Sequence, residues 1–178
     1  MATIKMQNVR LSFPNLFQTA SFGGESTLKY DCTLILDKKE HKKNIVEIQK
    51  VFKSLADERW KGKMPPEDKL CLRDGDDTER EELQGCYSMK ASSKRRPLVL
   101  DRDKSPLTEE DNVIYAGCFV NAIVSIWLQD NQFGRRLNAS LEGIQFTSAG
   151  EPFGAPSIDA DEFDAFGEAD DNQEAMTF

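Results

Sequence analysis

GCFVNAIVSIWLQDNQFGRRLNASLEGIQFTSAG, residues 117–150, is the stretch whose reading decides the architecture. Cys118, Val120, Ala122, Val124, Ile126 and Leu128 recur at every second position, while Phe119, Asn121, Ser125 and Trp127 share the other parity. Side chains of a strand alternate between faces, so β-formers running from 113 to 128 with one apolar stripe predict a strand that is buried on one side and wet on the other. Across a turn at Asp130–Gly134 the pattern resumes, with Leu137, Ala139 and Leu141 pointing one way and Arg136, Asn138 and Ser140 the other. A phase switch at Gly143 then lets Ile144 and Phe146 return to the core side. The whole stretch predicts a long hairpin with one polar face.

Working outward, TIKMQNVRLSF (3–13) places Ile4 and Met6 on one parity and Val9, Leu11 and Phe13 on the other, which predicts a strand with a bulge near Gln7–Asn8. LKYDCTLIL (28–36) sets Leu28, Tyr30, Cys32, Leu34 and Leu36 on one face, against Lys29, Asp31 and Thr33. A glycine-bearing loop, Ser21–Ser26, lies between them. Asp37 followed by Glu40 reads as a helix start, and Ile45, Ile48, Phe52 and Leu55 recur at helical spacing up to Trp60. Lys38, Lys39, Lys42 and Lys43 fall in the first turn, against the favourable sense of the helix dipole, and read as a solvated face. After a polar excursion, KGKMPPEDK, short strand-like segments follow at Lys69–Leu72, Cys86–Ser92 and Pro97–Leu100. Several antiparallel strands and one principal helix make a mainly β domain compatible with a closed or partly open barrel.

A chain of 178 residues with 39% hydrophobic content can bury one sizeable core. No apolar run approaches the roughly 20 residues of a membrane span, and MATIKMQNVR lacks the apolar stretch of a signal peptide, so a cytoplasmic protein is expected. The four cysteines, Cys32, Cys71, Cys86 and Cys118, include no C-x-x-C pair and read as reduced core or strand residues. With His41 the only histidine, a zinc site has few ligands to draw on, and no metal or cofactor is expected. There is no P-loop and no G-x-S-x-G, and the acidic pairs Asp76–Asp77, Glu81–Glu82 and Glu109–Glu110 have no histidine or lysine placed as a partner. No catalytic residues are assigned. A metal-dependent nuclease and an acidic-tailed protein-interaction or chaperone-like module are the competing readings.

The net charge of −8 divides unevenly. Residues 151–178 carry nine acids and no Lys or Arg, so this segment bears −9 and residues 1–150 bear +1. The tail, EPFGAPSIDADEFDAFGEADDNQEAMTF, has too little apolar surface to offset the entropy of ordering it, and is expected to be disordered. Phe153, Phe163, Phe166 and Phe178 punctuate the acids. An inert solvating segment is one reading of this composition; a bait that docks on basic, apolar pockets is the other.

NVRLSFPNLF near the start and GCFVNAIVSIWLQDNQFGRRLNASLEGIQFTSAGEPFG near the end resemble the corresponding blocks of phage single-stranded-DNA-binding proteins related to the Enc34 phage protein. The resemblance implies an OB-fold-like antiparallel barrel over residues 1–150. It also implies a role in phage DNA replication, recombination or repair in the bacterial host, and an acidic C-terminal tail closed by an aromatic residue, where Asp170, Asp171, Glu174 and Phe178 would dock replication or recombination proteins. Homo-oligomer formation is left open.

Sequence-tolerant binding of single strands needs cations for phosphates and flat side chains on which bases stack. Trp127, on the wet parity beside Arg135 and Arg136, is the leading ring. Trp60 stands among cations in Arg59–Trp60–Lys61–Gly62–Lys63, where it reads equally as a stacking ring or a seal on the helix end. Tyr87 and Lys90 lie on opposite parities of one strand, so only one need face the ligand. Lys94–Arg95–Arg96 before Pro97 is a basic loop suited to phosphates, and Lys29 adds a cation on its strand.

Overall fold

The computed structural model describes residues 2–20 and 28–153. Its elements are β1 (Ala2–Ala20), β2 (Lys29–Asp37), α1 (Lys42–Trp60), β3 (Leu72–Asp74), β4 (Cys86–Ser93), β5 (Leu98–Leu100), β6 (Phe119–Asn131) and β7 (Gly134–Ser148). β1 pairs antiparallel with β2 and β6, β2 with β4, and β6 with β7. A short parallel pairing, Ala91 to Ala139 and Ser92 to Ser140, joins β4 to β7 and closes a five-stranded, OB-like barrel. Closure leaves none of these five strands with a free edge along its closed part. β3 adds to β4, and β5 adds to β7.

The alternation read in residues 117–150 is the inside and outside of this barrel. Val120, Ala122, Val124, Ile126, Leu137, Ala139 and Leu141 are buried, and Ile144 and Phe146 join them after a register shift opposite Ile123–Val124. The regular strand starts at Phe119, with 113–117 irregular ahead of it. In β1 the register breaks between Met6 and Val9, where Asn8 takes a left-handed φ of 56° that asparagine tolerates better than most residues. His41 holds that bulge: its Nδ1 accepts from the Asp37 N–H at 3.0 Å, which leaves Nε2–H to donate to the carbonyls of Gln7 and Asn8 at 3.0 and 3.2 Å.

Two local expectations are corrected. Phe13 does not continue the buried stripe of Val9 and Leu11: its φ is +47°, the β1–β2 register shifts between Ser12 and Asn15, and its ring is 55% exposed. The regular helix begins at Lys42 rather than at Asp37. The Asp37 carboxylate caps the preceding turn instead, accepting from the N–H groups of Lys39 and Glu40 at 2.8 and 3.0 Å, which holds its pKa below the ordinary carboxylate value. α1 packs on β1 and β6 and buries Ile45, Ile48, Phe52, Ala56 and Trp60.

Cys32, Cys71 and Cys118 are buried and Cys86 is half-buried, all as free thiols. Burial pushes the Cys71 thiol up to about 12, so it stays protonated and inert at neutral pH. The described chain leaves the barrel across Gly117, where φ is +113° and a Cβ would lie 2.3 Å from the Glu151 carbonyl oxygen. Arg10 fastens this exit by donating to the carbonyls of Gly117 and Glu151 and by lying 4.0 Å from the centre of the Phe153 ring. Glu151–Phe153 therefore dock on the barrel, three residues beyond the point where the composition turns acidic. No helix among the described residues is long and apolar enough to cross a membrane.

Candidate nucleic-acid interface

The wet faces of β4, β6 and β7 meet around a cleft of about 930 Å³. β6 and β7 bring Trp127 opposite Asn138 and Gln129 opposite Arg136, so these four side chains share the outer face of the hairpin. The Asn138 amide donates to Gln129 Oε1 at 3.0 Å and steadies that row. β4 adds Lys90 and Ser92 from its own outward parity, β2 adds Lys29, and the loop after β4 adds Lys94. Lys69, Arg73 and Phe133 complete the wall. Arg73 is aimed by the backbone, donating to the carbonyls of Asp68 at 2.8 Å and Leu70 at 3.3 Å. Phe133, at the tip of the hairpin, is 74% exposed.

Among the described residues, six cations (Lys29, Lys69, Arg73, Lys90, Lys94 and Arg136) and no carboxylate line this cleft. Cations of one sign around a concave surface add their fields and favour a polyanion. Asp31, opposite the cleft residue Ser92 in the β2–β4 register, is buried, and its carboxyl accepts from the Asn15 amide at 2.8 Å. Burial pushes its pKa up, and the Asn15 hydrogen bond and the nearby Lys90 charge counter this only in part.

Of the residues singled out from the sequence, Lys29, Lys90, Lys94, Trp127 and Arg136 come together here. The others lie elsewhere. Trp60 is 3% exposed, and its indole N–H donates to Asp130 Oδ2 at 2.8 Å, so it seals the end of α1 against the hairpin and presents no face for stacking. Arg135 points to that same side: its guanidinium carbon is 5.5 Å from the Trp60 ring and its Nε is 4.0 Å from Asp130. The parity of β7 requires this, because Arg135 and Arg136 are adjacent and face opposite ways. Tyr87 turns inward with Met89, under Lys38 at 5.2 Å, with its hydroxyl 3.5 Å from the Gln49 amide of α1. Lys61 and Lys63 are exposed outside the cleft lining, as are Arg95 and Arg96, the latter 5.9 Å from the Phe17 ring. Asp170, Asp171, Glu174 and Phe178 lie outside the described residues.

Sequence reasoning missed Lys69, Arg73 and Phe133. Phe133 left a usable signal, a large ring in a hairpin turn where nothing can cover it. Arg73 follows Leu72, so placing Leu72 in the core would have turned Arg73 outward. Lys69 left no such signal. Lys38, by contrast, is no candidate: it bridges Asp74 and Asp76 at 2.7 and 2.6 Å, which raises its pKa and spends its charge.

The family model described as the single-stranded-DNA-binding protein of Enterobacter phage Enc34 matches residues 2–176. A relative from Acyrthosiphon pisum secondary endosymbiont phage 1, named putative protein p50, is 37% identical over 180 residues, covering 96% of this chain and 97% of its own. Among solved structures, the single-stranded-DNA-binding protein of bacteriophage Enc34 in complex with single-stranded DNA superposes with a TM-score of 0.78 at 28% identity, covering 86% of this chain and 90% of that one. The single-stranded-DNA-binding protein of bacteriophage T7 shares the fold, with a TM-score of 0.58 at 14% identity over 89% of this chain and 98% of that one. On the match across almost its full length, this chain belongs to the Enc34 single-stranded-DNA-binding protein family.

Proposed function

We propose that this protein binds single-stranded DNA along the cleft between β4 and the β6–β7 hairpin, with little preference for base sequence. The observation that carries the reading is the lining that the described residues give: six cations, no carboxylate, and the rings of Trp127 and Phe133. Lysines and arginines neutralise phosphates whatever the sequence, and aromatic rings accept any base, each stack contributing roughly 1–3 kcal/mol. Among the described residues the one α-helix, α1, contributes nothing to the cleft lining, so base edges are not read by a helix and discrimination between sequences is weak. The Enc34 relative solved with single-stranded DNA supports the reading. Among the described residues no three His, Cys, Asp or Glu side chains gather as metal ligands, which disfavours a nuclease.

The experiment is a polarisation titration of a labelled oligothymidylate at several salt concentrations, without and with Mg²⁺. Log K falls by about 0.7 per phosphate neutralised for single strands, so contacts from part or all of the cleft predict a slope of roughly −2 to −4 against log salt. The oligonucleotide stays intact with Mg²⁺. A flat salt response, or cleavage, contradicts the proposal.

The finer part of the proposal is service in phage DNA replication, recombination and repair, with the acidic tail competing for the cleft. Phe153 sits at the Arg10 end of β6, and Trp127 lies eight residues along the strand from Phe119, about 26 Å at 3.3 Å per residue. The 25 residues after Phe153, acting as the flexible tether their composition predicts, have an r.m.s. reach of roughly 25–30 Å, comparable with that span. At an effective concentration on the order of millimolar, even weak docking occupies the cleft in part. Removing residues 154–178 is therefore expected to tighten DNA binding at low salt and to narrow the preference for single strands over duplex, read by the same titration. Equal affinities with and without the tail at both low and moderate salt would contradict competition. DNA in the cleft would free the tail for replication or recombination proteins, with Phe178 as its anchor.

A further inference from the structure

We propose that Phe13 and Arg80 form a second base-binding position at the far end of the cleft, so that one strand of DNA lies across the barrel between two aromatic posts. The inference rests on the single-strand-binding reading above and extends it. The main cleft does not stop at Lys90: Cys71, Arg73 and Lys90 are also walls of a smaller hollow of about 150 Å³, which Phe13 and Arg80 line on the side away from Trp127. The two hollows thus adjoin, with the cations Arg73 and Lys90 on their shared wall, and together mark out a trough across the barrel.

Register gives the trough its length. Ser12 on β1 pairs with Thr33 on β2, which pairs with Lys90 on β4. Lys90 precedes the Ala91–Ala139 pair to β7, and the residue before Ala139, Asn138, pairs with Trp127 on β6. Four steps between neighbouring strands, at about 4.8 Å each, separate the row at Ser12 from Trp127, or about 19 Å along the surface. A stacked strand rising about 3.4 Å per nucleotide covers that distance with about six nucleotides.

Phe13 is also built as a functional ring is built. A bulky residue with φ above zero is uncommon, and here the left-handed turn at +47° serves to push a phenyl ring outward, 55% exposed, where the strand's parity would have buried it. The Arg80 guanidinium carbon stands 5.3 Å from the ring centre and is itself held by Glu82, with Nε to Oε1 at 2.7 Å. The ring is thereby offered to a base and steadied by a guanidinium whose charge Glu82 already partners, which leaves the phosphates to Arg73 and Lys90 in the middle of the trough.

The test compares oligothymidylates of about 4 and about 12 nucleotides, within the usual footprint of such domains, on the full chain. Phe13→Gly suits the left-handed backbone, so the fold is retained and the melting temperature does not fall. Loss of one stacked base is expected to weaken the longer oligonucleotide about tenfold while the shorter one, which the main cleft holds alone, binds as before. Phe13→Tyr restores the longer one. Unchanged binding of the longer oligonucleotide by Phe13→Gly, or equal weakening of both lengths, overturns the second position and leaves the single-strand reading standing. An unaltered protein that binds neither length overturns both.

Discussion

Replacing Trp60 by alanine is expected to lower the free energy of unfolding by about 3–5 kcal/mol, the usual cost of emptying a large aromatic site in a core. The ring is 3% exposed, closes the last turn of α1 and bonds Asp130 at the base of the hairpin turn. Arg59 and Arg135 both lie within 4.0 Å of the same Asp130 oxygen, so the indole organises the charges as well as filling space. Against a total stability of about 5–15 kcal/mol for a domain, this is a large fraction. Urea denaturation of the full chain reads it as a fall in midpoint. Oligothymidylate affinity, measured where the variant is still folded, should change less than it does for Trp127→Ala. A midpoint within experimental error of the parent, with affinity lost, would mean that Trp60 acts on DNA after all.

Trp127→Ala should give the opposite result. Its ring is half-buried on the cleft wall, paired across the hairpin with Asn138, and the apolar stripe of β6 lies on the other face. Losing one stacked base costs about 1–3 kcal/mol of binding, which is roughly 5- to 150-fold in affinity at fixed salt. Thermal stability should be nearly intact, because the side chain leaves a solvated wall rather than a core. If the melting temperature falls by many degrees while affinity is spared, the face assignment is reversed.

The contrast between the two tryptophans shows what was legible in the sequence. Alternation is a local property, so the stripes of β6 and β7, the bulge near Gln7–Asn8 and the phase switch at Gly143 could all be read residue by residue, and each appears in the pairing register. Parity also placed Trp127 and Arg136 on the outer face, and for β4 it said only that Tyr87 and Lys90 face opposite ways. It says nothing about what covers an outer face. Trp60 and Arg135 are claimed by the packing of α1 against the hairpin tip, and Tyr87 by α1 and Lys38, contacts between segments dozens of residues apart. Phe13 escaped for a different reason, a left-handed residue at a register shift between Ser12 and Asn15 that no alternation announces. Lys69 and Arg73 come from the aperiodic stretch between α1 and β4, whose shape is set by β3 pairing with β4 and by the Leu70–Leu137 bridge rather than by any repeat of its own.

Charge placement explains why an acidic chain suits a polyanion. The net of −8 is carried by the segment after Gly150, while every charged side chain among the described residues of the cleft wall is a cation. Whole-chain charge governs solubility and non-specific association, and the local field governs which ligand enters the cleft.

The most direct measurement uses the chain's two tryptophans as reporters. Intrinsic fluorescence is followed while oligothymidylate is added to the parent protein and to Trp127→Phe, which keeps a ring for stacking. A base that stacks on Trp127 quenches it, and the buried Trp60 is screened from contact. The account predicts saturable quenching in the parent and nearly none in Trp127→Phe, although polarisation shows that both still bind. Binding by both proteins with the same quench, or with none in either, would place the DNA elsewhere and contradict the cleft.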